Sequence, residues 1–156
     1  MLSVQIARHL RELHFRENWT DVSLKVLVED LDWKEANAQV HNLNTIASLV
    51  FHINYYINAV LKVLQSKPLD ARDKYSFDLP PINSKKDWDL LLSKTWEEAE
   101  EFAKLIEKLT DKELWTIMID EKYDTYYRNL QGIIEHSHYH LGQIALIKKI
   151  IREKDL

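Results

Sequence analysis

The sequence predicts an all-α protein, a four-helix bundle forming one domain over residues 1–156, and three observations carry that prediction. Apolar residues recur at intervals of three and four along four long segments, the period of helices that bury one face. Only two glycines and three prolines occur in 156 residues, and Pro68, Pro80 and Pro81 all fall in one stretch. Residues able to cap a helix stand where the periodic segments begin. No alternating strand pattern persists anywhere along the chain.

The first helix carries Leu2, Ile6, His9 or Leu10, and Leu13. Asn18-Trp19-Thr20 interrupts it, and Leu24, Leu27, Val28 and Leu31 resume at i, i+3, i+4, i+7. Asp32 followed by Glu35 has the spacing of a capping box and starts a brief turn through Asn37. The second main helix begins at Asn44 or Thr45, and its stripe is Ile46, Leu49, Val50, Ile53, Ile57, Val60, Leu61 and Leu64. Residues 66–83 form a long irregular connection between the second and third main helices, of a length usually given to functional or mobile loops. Ser84 with Asp87 opens the third main helix, which places Trp88, Leu91, Leu92, Thr95, Ala99, Phe102, Ile106 and Leu109 on one side. Thr110 and Glu113 repeat the capping-box spacing ahead of Leu114-Trp115. The last helix runs from about Tyr126 to Arg152, capped by Asp124 or Thr125.

Composition removes whole classes of chemistry. There is no cysteine, hence no disulfide, thiolate nucleophile, iron–sulfur cluster or cysteine-ligated zinc. Two glycines, Gly132 and Gly142, cannot build a glycine-rich phosphate loop or a dinucleotide fingerprint. With 21 basic and 25 acidic side chains the formal net charge is −4, so a nucleic-acid partner is not expected. Neither a secretory apolar run nor the roughly 20 apolar residues of a membrane span is expected from the sequence, which points to the cytoplasm and to no membrane partner.

Seven histidines hold the chemical interest: His9, His14, His41, His52, His136, His138 and His140. At about 100° per residue, His136 and His140 lie one above the other, about 6 Å apart along the helix axis. They also continue the apolar stripe of Asn129, Ile133, Ile144, Ile147 and Ile151, taking slots where a bundle core expects Leu or Ile. Burying such nitrogens without partners costs on the order of 1–3 kcal/mol each. Either a shared metal ion or hydrogen bonds must compensate. His138 projects to the other side of the helix, as a surface or interface residue. His52, in the middle of the second main helix, is the best third ligand, although its phase lies about 120° from the apolar stripe. His9, His14 and His41 are weaker candidates. Gly132 lies one turn before His136, where it either gives clearance beside an ion or, as is more usual for glycine, permits close packing, and Gly142 is expected to permit close helix contact.

Two metal motifs fail on the letters. A zincin protease needs Glu directly after the first histidine, where Ser137 stands. Glu135 and His138 make one Glu-x-x-His unit, but a di-iron carboxylate bundle needs two.

The segments Leu43-Asn44-Thr45-Ile46-Ala47, Val50-Phe51-His52-Ile53 and His136-Ser137-His138-Tyr139-His140-Leu141-Gly142-Gln143-Ile144 resemble the DinB/YfiT-like superfamily of metal-dependent four-helix proteins. The family places one histidine in its second helix and a His-x-x-x-His near the start of its last. Leu141 departs from the arginine common there. The resemblance implies a divalent transition metal, zinc, nickel or iron, on His52, His136 and His140, and a homodimer. Three histidines leave room for water or substrate, the arrangement of a catalytic site. Thiol-dependent transferases or isomerases using small thiols, or hydrolases, are the activities implied. Gln143 stands close enough to bond a ligand or a histidine, and Tyr55, Tyr56 and Asn129 are further pocket candidates. The competing class is a non-catalytic metal-binding helical dimer with a structural or sensing role.

Overall fold

The structure is a computed structural model that describes residues 1–153. Its seven α-helices among those residues are α1 (Leu2–Phe15), α2 (Leu24–Val28), α3 (Trp33–Ala36), α4 (Ile46–Leu64), α5 (Lys85–Glu107), α6 (Asp111–Leu114) and α7 (Tyr126–Glu153). No strand is formed among them, and the one isolated bridge pairs Ile117 with Thr125.

The four long helices close into a ring. α1 packs on α5, α5 on α4, α4 on α7, and α7 back on α1. The stripes predicted from the sequence meet in the middle, with Leu10, Leu13, Ile46, Leu49, Ile53, Ile57, Phe102, Ile106 and Ile144 almost fully buried, and Leu130 and Leu141, outside the predicted stripe of α7, are buried with them. Burying each large apolar side chain contributes about 1.5–3 kcal/mol. Leu141 therefore serves the core, where an arginine would sit badly.

Caps set the element boundaries. Thr45, rather than Asn44, takes the first position of α4 and accepts from the Ser48 amide. Ser84 accepts from Asp87 at the start of α5, and Thr125 from Arg128 at the start of α7. Both predicted capping boxes form, Asp32 with Glu35 and Thr110 with Glu113. Arg11 clamps α1 to α5 through Glu100, at 3.0 and 3.1 Å, and through Glu107. Lys148 donates to the Leu27 carbonyl at 2.8 Å and holds the end of α2 against α7.

The connection between α4 and α5 is a strap laid across α4. A short 3-10 turn at Asp73–Tyr75 sits inside it. The Tyr55 hydroxyl donates to the Arg72 carbonyl at 2.9 Å and accepts from the Arg72 amide at 2.8 Å. Tyr56 donates to Asp73 at 2.9 Å, and Asn37 donates to the Ile82 carbonyl at 2.7 Å, so the strap is tied along its length.

α4 corrects one expectation. At 19 residues it is long and apolar enough to cross a membrane by length and composition, although it is the core helix of the bundle, about 61% buried in its most apolar window.

Candidate metal centre

α4 and α7 lie side by side, and their histidines meet at the contact. His52 Nε2 is 3.0 Å from His136 Nε2, which is 3.0 Å from His140 Nε2. Ligand-capable atoms of all three lie within 4.8 Å of one another, and it is the one such group of three among the described residues. His52 and His140 are buried and His136 is half-buried. Periodicity left His52 on a flank of α4; the structure turns that flank to α7.

The outer nitrogens of two rings are already engaged. His52 Nδ1 is 3.2 Å from the Ser76 carbonyl oxygen, and His140 Nδ1 is 2.7 Å from Gln143 Oε1. Both partners are acceptors, so both rings carry their proton on Nδ1 and present a bare Nε2 lone pair to the centre. This is the arrangement in which an outer partner fixes the tautomer and orientation of a metal-ligating histidine. Two bare lone pairs aimed at a third nitrogen repel unless a cation lies among them. A separation of 3.0 Å is less than twice the roughly 2.0–2.1 Å bond of an imidazole to a first-row ion. The residues present fit a metal ion on these grounds.

The surroundings favour the neutral form of His136 and His52. Burial pushes His136 down to about 4, with His140 and then His52 adding to the effect. Burial also lowers His52, mainly against the Ser76 hydrogen bond. Neutral imidazole is the ligand form, so its lone pairs are available at neutral pH. Phe77, from the strap, stacks on His52 with centroids 3.8 Å apart and planes at 9°. Tyr56 sits edge-on to His52 and His136, at 5.2 and 4.9 Å.

A cavity of about 470 Å³ opens beside His136, lined also by Tyr56, Val60, Arg128 and Gly132. That is within the size range of small-ligand sites. Gly132 does face this space, because a Cβ there would meet only Arg128 Nη1, at 3.5 Å. Gly142 does not serve close helix contact: nothing among the described residues lies within 4 Å of where its Cβ would be.

The remaining candidates separate cleanly. Gln143 bonds a histidine, as its spacing suggested, and Tyr56 joins the site. Tyr55 anchors the strap instead, whereas Asn129 lines the cavity beside His136 while its amide donates to the Tyr123 and Thr125 carbonyls. His138 is half-buried against His9, with ring centroids 5.6 Å apart, away from the triad. His14 is fully buried in α1, and His41 is exposed in a loop with φ 49°. Sequence reasoning missed Ser76 and Phe77, which lie in an irregular segment without periodicity to place them. It also missed Arg128, although its spacing of eight residues before His136 puts both on one side of α7.

Comparison with known proteins adds a family. The sequence model described as the DinB superfamily matches residues 14–144, a span that contains all three histidines, Ser76, Phe77 and Gln143. No curated protein and no solved structure matches the chain significantly.

Proposed function

The chain belongs to the DinB superfamily, and on that premise we propose that it is a metal-dependent enzyme with an ion on His52, His136 and His140. The favoured activity is thiol-dependent group transfer or isomerisation, with hydrolysis as the other option. The observation that carries the reading is the convergence of three Nε2 atoms while Ser76 and Gln143 occupy the outer nitrogens of two rings. The cavity beside His136 supports catalysis over a purely structural site, because a closed site would leave no space for a guest.

A divalent transition metal held there, zinc, nickel or iron, supplies Lewis acidity, lowering the pKa of a bound water or thiol or polarising a carbonyl. The protein's residues do the rest. Ser76 and Gln143 keep the protons on Nδ1 of His52 and His140, so both rings stay oriented. Phe77 and Tyr56 cover the rings and exclude water from two sides. Tyr56 keeps its hydroxyl on Asp73, outside the triad. The family also suggests a cytoplasmic homodimer.

The test is elemental analysis of wild-type protein and His136→Ala, both purified without added metal. Near-stoichiometric metal in the wild type and none in a variant of unchanged helical circular dichroism is the expected result. Equal metal in both removes the site. A metal-loaded protein inert toward a panel of thiols and esters favours the structural or sensing role.

A further inference from the structure

On α7, Arg128, Gly132 and His136 follow one another at intervals of four, each step turning by about 40°, and all three line one face of the cavity. The guanidinium of Arg128 folds along that face: its Nη1 is 3.5 Å from the place a Cβ on Gly132 would occupy. The cationic head thus reaches within about one turn of His136, roughly 6 Å along the axis. Gly132 holds no positive φ and meets no other neighbour, so a residue that costs about 1 kcal/mol in a helix serves here to leave the space open.

The charge is available. Arg128 makes one hydrogen bond to a side chain among the described residues, to Glu135 at 3.2 Å, and that pair is more than half exposed on both sides, 55% and 64%. Exposed pairs of this kind are worth at most about 1 kcal/mol and exchange readily. Four of the five guanidinium N–H donors remain for another acceptor. Lys122 lines the same cavity, its ammonium 3.6 Å from the exposed Asp120. Asp124, the acid of the lining, turns one carboxylate oxygen to the Thr125 amide. Val60 and Ile133 give the cavity apolar wall, alongside Tyr56, Tyr123 and Asn129.

We propose that this cavity is an anion subsite, in which Arg128, assisted by Lys122, binds the carboxylate or phosphate of a small substrate whose other end reaches the triad. The planar guanidinium fork suits either group. The apolar walls and the roughly 6 Å reach call for a short aliphatic spacer between the anion and the reacting centre. The substrate class deepens the metal-enzyme reading and rests on it for the reacting end, whereas the anion contact itself is independent of metal.

Calorimetric titration of the full chain with succinate and with inorganic phosphate tests this, on protein as purified and after chelation, with metal content measured in parallel. Saturable binding is expected in both states, and the tighter probe names the group. Arg128→Met should weaken it by about tenfold or more, as the loss of a charge-assisted hydrogen bond implies. Glu135→Gln, which frees the guanidinium, should tighten it a few-fold. Both positions are exposed, so folding is not at issue. Unaltered affinity in Arg128→Met, or no binding of either probe, overturns the subsite. Arg128-dependent binding in a protein that never holds metal keeps the subsite and removes the metal reading.

Discussion

His14 shows what a buried histidine does when no second partner is supplied. Its Nδ1 donates to the Leu10 carbonyl at 2.8 Å, and its Nε2 has no hydrogen-bond partner among the described residues. Burial pushes it down to about 4. In the unfolded chain it titrates near 6.5, so between those values the unfolded state binds the extra proton. Its contribution to stability is therefore complete above about pH 6.5 and is lost as pH falls toward 4, up to about 3 kcal/mol. Chelated protein should melt progressively lower across that window, and His14→Met should make the acid limb shallower, leaving the share that His136 contributes over the same range; an unchanged slope removes His14 as a source. His52 and His140 share with His14 an acceptor on Nδ1 and differ from it in the neighbours that converge on Nε2. The Gln143 contact was legible because it lies three residues from His140 on the same helix. The Ser76 contact was not, because a carbonyl 24 residues from His52 leaves no trace in residue type.

Among the elements, α4 explains why His52 could not be oriented from the sequence. A single apolar stripe assumes one buried face, whereas α4 is covered by α5, by α7 and by the strap. Leu and Ile mark the side of α4 that enters the shared core, and the polar ring of His52 meets α7 and the strap at another. α7 was easier, because His136 and His140 replace apolar residues within its predicted stripe, although Leu130, Ile134 and Leu141 bury a second side of the helix. Gly142 was misread for the converse reason: glycine suggests a close neighbour, and the structure provides none. Since that position is exposed and helical, Gly142→Ala should stabilise the protein by up to about 1 kcal/mol. For a domain of this size that is roughly a 2–4 °C rise in melting temperature. A fall instead would mean that something approaches α7 there.

For the molecule as a whole, the ring of four helices was legible in periodicity and caps, since α4, α5 and α7 each begin at a residue whose side chain takes up a free amide, and α1, which starts at Met1 without such a cap, shows itself by periodicity alone. The order around the ring was not, because each stripe shows that a helix is buried and not against which neighbour. The pairing of α4 with α7 is what brings distant histidines together, and no feature of either stripe specifies it. Assembly beyond one chain is likewise silent in the stripes. The proposed homodimer predicts that sedimentation equilibrium of the full chain returns twice the 18.6 kDa mass of one chain; a single-chain mass at working concentrations removes it.

The spacing of the donors has a consequence for how the protein matures. Two of the three imidazoles are four residues apart, while the third is separated from the nearer of them by 84 positions. The pair exists as soon as the last helix coils, before any tertiary closure. A cation can therefore be captured by a half-built polypeptide and wait there for the remote ring to arrive. Affinity for the unfinished chain subtracts from the stabilisation that a ligand exclusive to the finished one would confer. Excess ion during refolding should then populate a loaded but open species, and the supply of metal becomes a matter of timing as much as of concentration.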